Sequence, residues 1–265
     1  MKEWNRSWDA MGGRFEVILR GEDEEHLEAV GVAVMEEVER LDRGLSRFDG
    51  GSEVARVNRE AVERPVRVDR ELYALLERCE LGRRETEGFF DAAMSGELEL
   101  DGERCTVRLA GEGVTLDLGA IGKGYALDCG REIAERYGVA SGLLQGGTSS
   151  VLAFGEEAWP IDLRDPLVAE AVTGRIELRD RGLSCSAVRH AGQATSDLVD
   201  PHTGAPITGS DACIVLAKSA TTAEIFSTGL LAMGRERAAK FLSSAARLDL
   251  TVGWIASDAG LFWFD

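Results

Sequence analysis

The spacing of apolar residues along the chain predicts both strands and amphipathic helices. Residues 14–20 alternate between apolar and polar side chains, which is typical of a half-buried strand. Residues 27–45 carry apolar side chains at three- and four-residue spacing, with Glu and Arg between them. This spacing predicts a long helix that packs one apolar face against a sheet.

The remainder of the chain continues this mixed pattern. Further helices are predicted at 70–85, from Lys123 onward, near 221–233 and after Gly234. Short strands are predicted at 114–118, 142–144, 150–154, 159–163, 175–178, 211–217, 250–257 and 261–264. Because tight turns join most neighbouring strands, we predict an α+β fold of mixed, largely antiparallel sheets packed with helices, formed as a single domain over residues 1–265.

A glycine-rich turn within residues 114–130 follows a short alternating strand and leads into a helix. Glycines at 119, 122 and 124 allow a ligand to approach the backbone closely. Lys123 in the first helical turn opposes the helix macrodipole, which is reasonable if a phosphate binds at that end. A strand-to-helix corner with a solvated lysine is the alternative, because the segment is neither a Walker loop nor a GxGxxG fingerprint.

The chain is strongly acidic, with 47 Asp and Glu against 30 Lys and Arg, and a formal net charge of −17. This balance argues against binding to nucleic acid or to an anionic membrane, since a surface that follows phosphates needs clustered basic residues. An anionic ligand therefore needs a lysine, a helix end or a divalent cation. Acidic residues near the glycine turn become candidate metal ligands.

The N-terminal segment lacks an apolar core long enough for a signal peptide, and no segment approaches the ~20 apolar residues of a membrane span. We therefore expect a cytoplasmic protein. The five cysteines are scattered and form no CxxC pair, which favours reduced thiols over a disulfide framework or a zinc site. The three histidines, at 26, 190 and 202, leave little scope for a histidine-based metal site.

Three further segments carry candidate functional residues but also have structural interpretations. Residues 45–58 (LSRFDGGSEVARVN) are consistent with a helix junction in which Ser52 caps a short helix. Residues 86–94 (TEGFFDAAM) offer two aromatic rings and a carboxylate, although phenylalanines are more often core residues. Residues 197–206 (DLVDPHTGAP) by themselves predict a turn.

A fourth segment, SATTAEIFSTG, places Glu224 and Thr228 four residues apart on one face of a predicted helix. A carboxylate and a hydroxyl in this arrangement could hold Mg²⁺ or another hard cation. The alternative is a TxxE capping box formed by Thr221 and Glu224, in which the glutamate bonds the amide at the helix N-terminus and needs no metal.

In their order along the chain, these segments resemble the ApbE family of FAD:protein FMN transferases. The resemblance runs from Met11 to about Gly234 and rests on MGGRFEV, LSRFDGGSEVARVN, TEGFFDA, LDLGAIGKGYALD, LLQGG, LVDPHTGAP and AEIFSTGLLAMG. It implies an enzyme that binds FAD and Mg²⁺ and splits the FAD pyrophosphate. FMN would be attached to a Thr or Ser hydroxyl of an acceptor protein, with release of AMP.

The resemblance also implies a set of site residues. The flavin contacts would be Met11, Phe48, Phe89, Phe90, Asp91, Asp117 and Lys123. The metal would be held by the carbonyl of Ala120 and the side chains of Glu224 and Thr228. Mg²⁺ and Lys123 together would neutralise a pyrophosphate that an acidic protein otherwise repels.

The transfer side of the implied site departs from the family pattern. Asp197 stands where relatives commonly carry a histidine, and a carboxylate with a reference pKa of about 3.9 is a weaker base than imidazole unless burial raises its pKa. His190 and His202 are alternative bases. Further departures are Thr148 in place of the Asp of GGD, Cys185-Ser186-Ala187 in place of TSG, and Glu224 in place of the metal-binding Asp.

Two hypotheses follow from this mixture of matches and departures. The first is an active FMN transferase in which Asp197 is the catalytic base and Lys123 binds the phosphates. The second is a flavin-binding paralogue that has lost transfer and binds, senses or hydrolyses FAD. A phosphate enzyme that shares only the glycine turn would not account for seven segments in the same order.

Overall fold

A computed structural model describes residues 1–264 except 95, 167, 169–170, 190–195, 197, 246–247 and 257–258. The described helices are α1 (Glu24–Leu45), α2 (Glu53–Glu60), α3 (Arg70–Glu85), α4 (Gly122–Arg136), α5 (Ala220–Met233) and α6 (Arg235–Ser244). The described strands are β1 (Lys2–Ala10), β2 (Gly13–Gly21), β3 (Val66–Arg67), β4 (Ala93–Met94), β5 (Glu97–Asp101), β6 (Thr106–Ala110), β7 (Thr115–Leu116), β8 (Ser141–Gly146), β9 (Ser150–Phe154), β10 (Trp159–Arg164), β11 (Val172–Leu178), β12 (Gly182–Ala187), β13 (Ala212–Ala217), β14 (Thr251–Ala256) and β15 (Gly260–Trp263).

The largest sheet has eight strands in the order β1-β2-β8-β9-β12-β13-β14-β15, and every neighbouring pair is antiparallel. Three smaller antiparallel sheets are formed by β10-β11, β3-β6-β5 and β4-β7. The predicted α+β fold with largely antiparallel sheets is therefore confirmed. None of the helices in the described part of the chain has the length and apolar character needed to cross a bilayer.

Helix α1 forms where the periodicity predicted it. The Asp23 side chain caps its N-terminus by accepting hydrogen bonds from the backbone amides of Glu25 and His26. Its apolar face is buried and packs against β1, β2 and α4; the buried residues of that face are Leu27, Val30, Val34, Val38 and Leu41. The helix ends at Leu45, the first residue of the LSRFDGGSEVARVN segment, in which Ser52 caps α2 as predicted.

Helices α4 and α5 are joined by the carboxylate of Asp128. It accepts hydrogen bonds from the backbone amides of Ala220 (2.8 Å) and Thr221 (3.0 Å), and from the Thr221 hydroxyl (2.5 Å). A negative charge at this position also suits the positive end of the α5 macrodipole. This contact holds α4 against α5, and both helices also pack against strands of the large sheet.

The capping-box interpretation of Thr221 and Glu224 is wrong. Ser219 caps α5, with its side chain accepting a hydrogen bond from the amide of Thr222. Thr221 lies within the first turn, and the Glu224 carboxylate bonds the amide of Gly124 on α4 instead of an amide of its own helix. The Glu224 carboxylate therefore does not cap its own helix, and a capping role does not compete with a role as metal ligand.

Candidate functional site

A cavity of about 180 Å³ lies where the glycine turn, strand β12 and helix α5 meet. Lys123 at the start of α4 and Ala120 in the turn before it line the cavity, and Glu224 and Thr228 line it from α5. Strand β12 contributes Ser184, Cys185, Ser186 and Ala187 to the opposite wall. The structure therefore brings the three predicted metal-binding residues and the predicted phosphate-binding lysine to one cavity.

The Glu224 side chain is buried, with 4% of its surface exposed, and both of its oxygens are hydrogen-bonded. The amide of Gly124 donates to Oε2 at 2.7 Å, and the Ser150 hydroxyl donates to Oε1 at 2.5 Å. Burial raises the pKa of Glu224 to about 7, although the Ser150 hydroxyl, the Lys123 charge and the Gly124 amide all oppose the shift. A cation at this position would favour the ionised carboxylate.

Hydroxyl groups connect α5 to β12 beside Glu224. The Thr228 Oγ1 lies 3.3 Å from the Ser186 Oγ, which lies 2.8 Å from the Ser227 Oγ. Ser227 in turn lies 3.0 Å from the Ser184 Oγ. Sequence reasoning missed Ser150, Ser184 and Ser227, although two serines at alternate positions of GLSCSA could have indicated one polar face of a strand.

The cavity residues fit a hard divalent cation. The Ala120 carbonyl, the Glu224 carboxylate and the Thr228 hydroxyl are all oxygen donors, which Mg²⁺ and Ca²⁺ prefer. Each Glu224 oxygen accepts one hydrogen bond and keeps a second lone pair for a ligand bond. Burying an ionised carboxylate without a positive partner is costly. Among the described residues that line the cavity, Lys123 is the one that carries a positive charge, so a bound cation would supply a second.

Phe48 and Asp117 are linked through Arg47, which the sequence analysis did not single out. The Arg47 guanidinium lies 4.6 Å from the centre of the Phe48 ring, and its Nε lies 3.2 Å from Asp117 Oδ2. Asp117 Oδ1 accepts a hydrogen bond from the amide of Gly119 at 2.9 Å, at the start of the glycine turn. The Phe48 side chain is 84% exposed, so one face of a planar ligand could cover it.

The TEGFFDA segment is more buried than its predicted ligand role requires. Phe90 is 2% exposed and packs in the core, as the composition-based alternative anticipated. Phe89 is 7% exposed, with the His202 ring 4.5 Å away at its edge and the Arg237 guanidinium 4.4 Å away. Asp91 Oδ2 pairs with Arg83 at 3.1 Å, and burial raises the pKa of Asp91 above its ordinary value despite that partner.

Met11 lies in the tight turn between β1 and β2, on the side of the molecule that carries Lys123. Met11 and Gly12 both have positive φ angles, of 48° and 70°, as a two-residue hairpin turn requires. The amide of Gly147 donates to the carbonyl of Arg14 at 2.9 Å, and Gly147 also faces the Lys123 side chain. The hairpin turn and the LLQGG turn are therefore neighbours of the cavity.

Of the three candidate bases, Asp197 and His190 lie outside the described residues. His202 is exposed and packs its ring against Phe89. Leu198, the residue after Asp197, is among the residues that line the cavity. The assignment of the base remains a prediction from the sequence.

Gly124→Ala is expected to destabilise the protein by about 1–3 kcal/mol, because overpacking a fixed site costs energy of this order. A Cβ at this position would lie 2.6 Å from the Ala220 carbonyl oxygen and 2.8 Å from Glu224 Oε2, and the first of these is backbone. Urea unfolding measures the loss. Gly122→Ala is the matched control, since a Cβ there would meet no described atom within 4 Å other than its chain neighbours and the backbone of its own helix. Equal stabilities of the two variants would contradict this packing argument.

Comparison with known proteins gives a consistent result. The ApbE family model matches residues 11–100 and 94–252. The chain is 24% identical to an FAD:protein FMN transferase of Klebsiella pneumoniae (strain 342), over 84% of this chain and 82% of the relative. It is 26% identical to an FAD:protein FMN transferase of Treponema pallidum (strain Nichols), over 82% of this chain and 76% of the relative.

Two solved structures share the fold. The ApbE protein of Thermotoga maritima superposes with a TM-score of 0.90 at 21% identity, covering 100% of this chain and 97% of that one. The flavin transferase ApbE of Vibrio cholerae superposes with a TM-score of 0.84 at 20% identity, covering 99% and 96%. Together with the family match over most of its length, the shared fold leads to one conclusion: this chain belongs to the ApbE family.

Proposed function

We propose that this protein is a Mg²⁺-dependent FAD:protein FMN transferase, formed as one domain over residues 1–265. It would cleave the FAD pyrophosphate, attach FMN to a Ser or Thr hydroxyl of an acceptor protein and release AMP. The observation that carries the proposal is the single cavity that holds Lys123, Ala120, Glu224 and Thr228 in an otherwise acidic protein. Family membership and the names of the relatives support it.

The residues of the cavity have separate roles in this proposal. Ala120, Glu224 and Thr228 would hold Mg²⁺, which supplies Lewis-acid stabilisation of phosphate charge when bound. The Lys123 ammonium would donate to the pyrophosphate at the N-terminus of α4, where the helix macrodipole also favours an anion. Phe48 and Asp117 would hold the rest of the flavin nucleotide. Arg47 contacts both side chains and so links Phe48 to the glycine turn, which Asp117 adjoins.

The proposed reaction is a displacement at the FMN phosphorus. The acceptor hydroxyl oxygen forms the new phosphorus–oxygen bond, the bond to the AMP phosphate breaks, and the hydroxyl proton passes to Asp197. This role for Asp197 follows from the family resemblance, in which Asp197 stands where relatives commonly carry a histidine. Asp197 is thus the proposed base, and its substitution for the usual histidine makes it the most informative residue to change.

The function is tested by incubating the purified protein with FAD, Mg²⁺ and a Ser/Thr acceptor domain of the kind that flavin transferases modify. We expect a fluorescent acceptor band after denaturing electrophoresis, and AMP in equal amount. Tight FAD binding with no labelled band for any acceptor tried would contradict the proposal and favour the flavin-binding paralogue.

Asp197→Asn is expected to lower the transfer rate at least 100-fold, because general-base catalysis contributes a factor of about 10²–10⁴. The asparagine amide cannot accept the proton, yet it has the size of the carboxylate, so FAD affinity should stay within about twofold. Single-turnover flavin transfer and FAD titration measure the two quantities separately. Asp197→His is the control that should retain transfer, and unchanged transfer in Asp197→Asn would exclude Asp197 as the base.

Phe48→Ala is expected to weaken FAD binding by about 5- to 160-fold, because stacking a base on an aromatic ring contributes about 1–3 kcal/mol. At 84% exposure, the ring contributes little to the core, so the melting temperature should not change. Tyr137→Ala provides a matched control, since Tyr137 is an aromatic residue with 55% exposure at the far end of α4. Equal FAD affinities of the two variants would remove Phe48 from the proposed flavin site.

A further inference from the structure

Ser150 is fully buried at the start of β9 and takes no part in the site residues that the family resemblance implies. Its hydroxyl donates to Glu224 Oε1 at 2.5 Å, across 74 residues of sequence. The other carboxylate oxygen is held by the Gly124 amide of α4. The Glu224 carboxylate is therefore fixed from two sides, by one strand and one helix.

The direction of the Ser150 hydrogen bond follows from its alternatives. The hydroxyl has one proton, and its neighbours are Glu224 Oε1 at 2.5 Å and the Ser149 Oγ at 3.4 Å. A hydrogen bond to a carboxylate is shorter and stronger than one between two hydroxyls, so the proton points to Glu224. Ser149, which lines the cavity, can then donate to Ser150.

We infer that Ser150 is a positioning residue that orients the Glu224 carboxylate toward the cation in the cavity. The inference rests on the proposed function. Glutamate has a longer side chain than the aspartate usual at this position, and its terminal torsion angle χ3 has no single preferred value. With the Gly124 amide alone, the carboxylate could rotate about a single hydrogen bond; the Ser150 hydroxyl removes that freedom. Partners that orient a ligating carboxylate typically contribute a factor of 10–100 in metal affinity.

The test is a titration of the protein over residues 1–265 with Mn²⁺ in the presence of FAD, in which electron paramagnetic resonance measures free and bound Mn²⁺. Ser150→Ala is expected to weaken Mn²⁺ binding by about 10- to 100-fold. FAD binding without metal should stay within about twofold, because Ser150 is not among the described residues that line the cavity. Ser150→Cys restores the lost volume but donates weakly, so it should lose Mn²⁺ affinity as well.

The matched control is Ser141→Ala. Ser141 is also a buried strand serine that donates to a carboxylate, Glu157 Oε2 at 3.2 Å, but it lies at the opposite end of β8 from the LLQGG turn. We expect its Mn²⁺ affinity to equal that of the unmodified protein. A loss in Ser141→Ala as large as in Ser150→Ala would overturn the inference, because the effect would then be general destabilisation.

Two further outcomes would overturn the inference, and they have different consequences. If the unmodified protein binds Mn²⁺ and both Ser150 variants bind it equally well, the positioning role fails while the proposed function stands. The same holds if Ser150→Cys recovers full affinity, because packing would then explain the alanine result. If the unmodified protein itself binds no Mn²⁺ with FAD, the metal dependence in the proposed function fails, and the inference fails with it.

Discussion

Lys123→Ala is expected to raise the dissociation constant for FAD by about 10- to 100-fold and to lower the transfer rate by at least as much. Hydrogen bonds to charged groups contribute about 1.5–3 kcal/mol, which corresponds to this range. The protein carries a net charge of −17, and Lys123 shares its cavity with the Glu224 carboxylate. Without the lysine, the pyrophosphate would meet an acidic surface with only backbone amides and a divalent cation to offset the repulsion.

The Lys123 side chain is half-buried, and within the described residues no ion pair holds its ammonium group. Below the pKa of Glu224, where that carboxyl is protonated and needs no positive partner, we expect the melting temperature of Lys123→Ala to stay close to that of the unmodified protein. FAD affinity is measured by quenching of flavin fluorescence at constant ionic strength.

Lys2→Ala is the control for charge. Lys2 pairs with Gly21 at the end of the β1–β2 hairpin that lies farthest from the Met11 turn, and its ion pair with Glu24 is exposed. Removing one positive charge there should not change FAD affinity. If Lys2→Ala and Lys123→Ala weaken FAD binding equally, the change in net charge explains the loss of affinity, and the assignment of Lys123 to the pyrophosphate is wrong.

Much of the fold was predictable because its helices carry strong local signals. Helix α3 begins and ends at the predicted residues, since Asp69 caps it and its buried residues recur at helical spacing. Strand β1 was not predicted, because it is an edge strand whose inner face carries Trp4, Trp8 and Ala10 but also Lys2 and Arg6, which interrupt the apolar alternation. Strand β12 was also missed. Its sequence, GLSCSA, consists mostly of small residues, which allow α5 to pack closely but have low strand propensity.

The candidate site divides in the same way between local and long-range information. The four-residue spacing of Glu224 and Thr228 and the glycine turn around Lys123 are local, and the structure brings these residues together. The hydrogen bonds of Glu224 to Gly124 and Ser150 join residues 100 and 74 positions apart. The pattern around Glu224 could not reveal these partners, and the capping box that it offered as an alternative depends only on neighbours in sequence.

Glu224→Gln is expected to abolish the Mg²⁺-dependent tightening of FAD binding, because it removes the charge that the proposed cation needs. Both hydrogen bonds can remain: the glutamine oxygen accepts from the Gly124 amide, and its NH₂ group donates to the Ser150 Oγ. The variant should therefore fold. The measurement is FAD titration with and without Mg²⁺, and a persistent Mg²⁺ effect in the variant would exclude Glu224 as a ligand.

The same substitution should also change how stability depends on pH in the absence of metal. The pKa of Glu224 is raised from 4.5 to about 7, so the folded state binds more protons than the unfolded state between these values. The free energy of unfolding of the unmodified protein should therefore fall as pH rises through this window, by about 3 kcal/mol. Glu224→Gln lacks this decline. In EDTA, the free energy of unfolding of the variant, measured with urea relative to the unmodified protein, should therefore be more favourable at pH 8 than at pH 5.

Glu157→Gln provides the control with the opposite sign, because the Arg20 hydrogen bond lowers the pKa of Glu157. Its carboxylate stabilises the fold above its ordinary pKa of 4.5, so Glu157→Gln should be less stable than the unmodified protein by a similar amount at pH 5 and pH 8, and the difference should shrink only as pH falls below 4.5. Mg²⁺ with FAD should restore stability at pH 8 to the unmodified protein but not to Glu224→Gln, since a bound cation favours the ionised carboxylate. Parallel pH profiles for the unmodified protein and Glu224→Gln would show that burial does not raise the pKa of Glu224, and would remove the reason for a compensating cation.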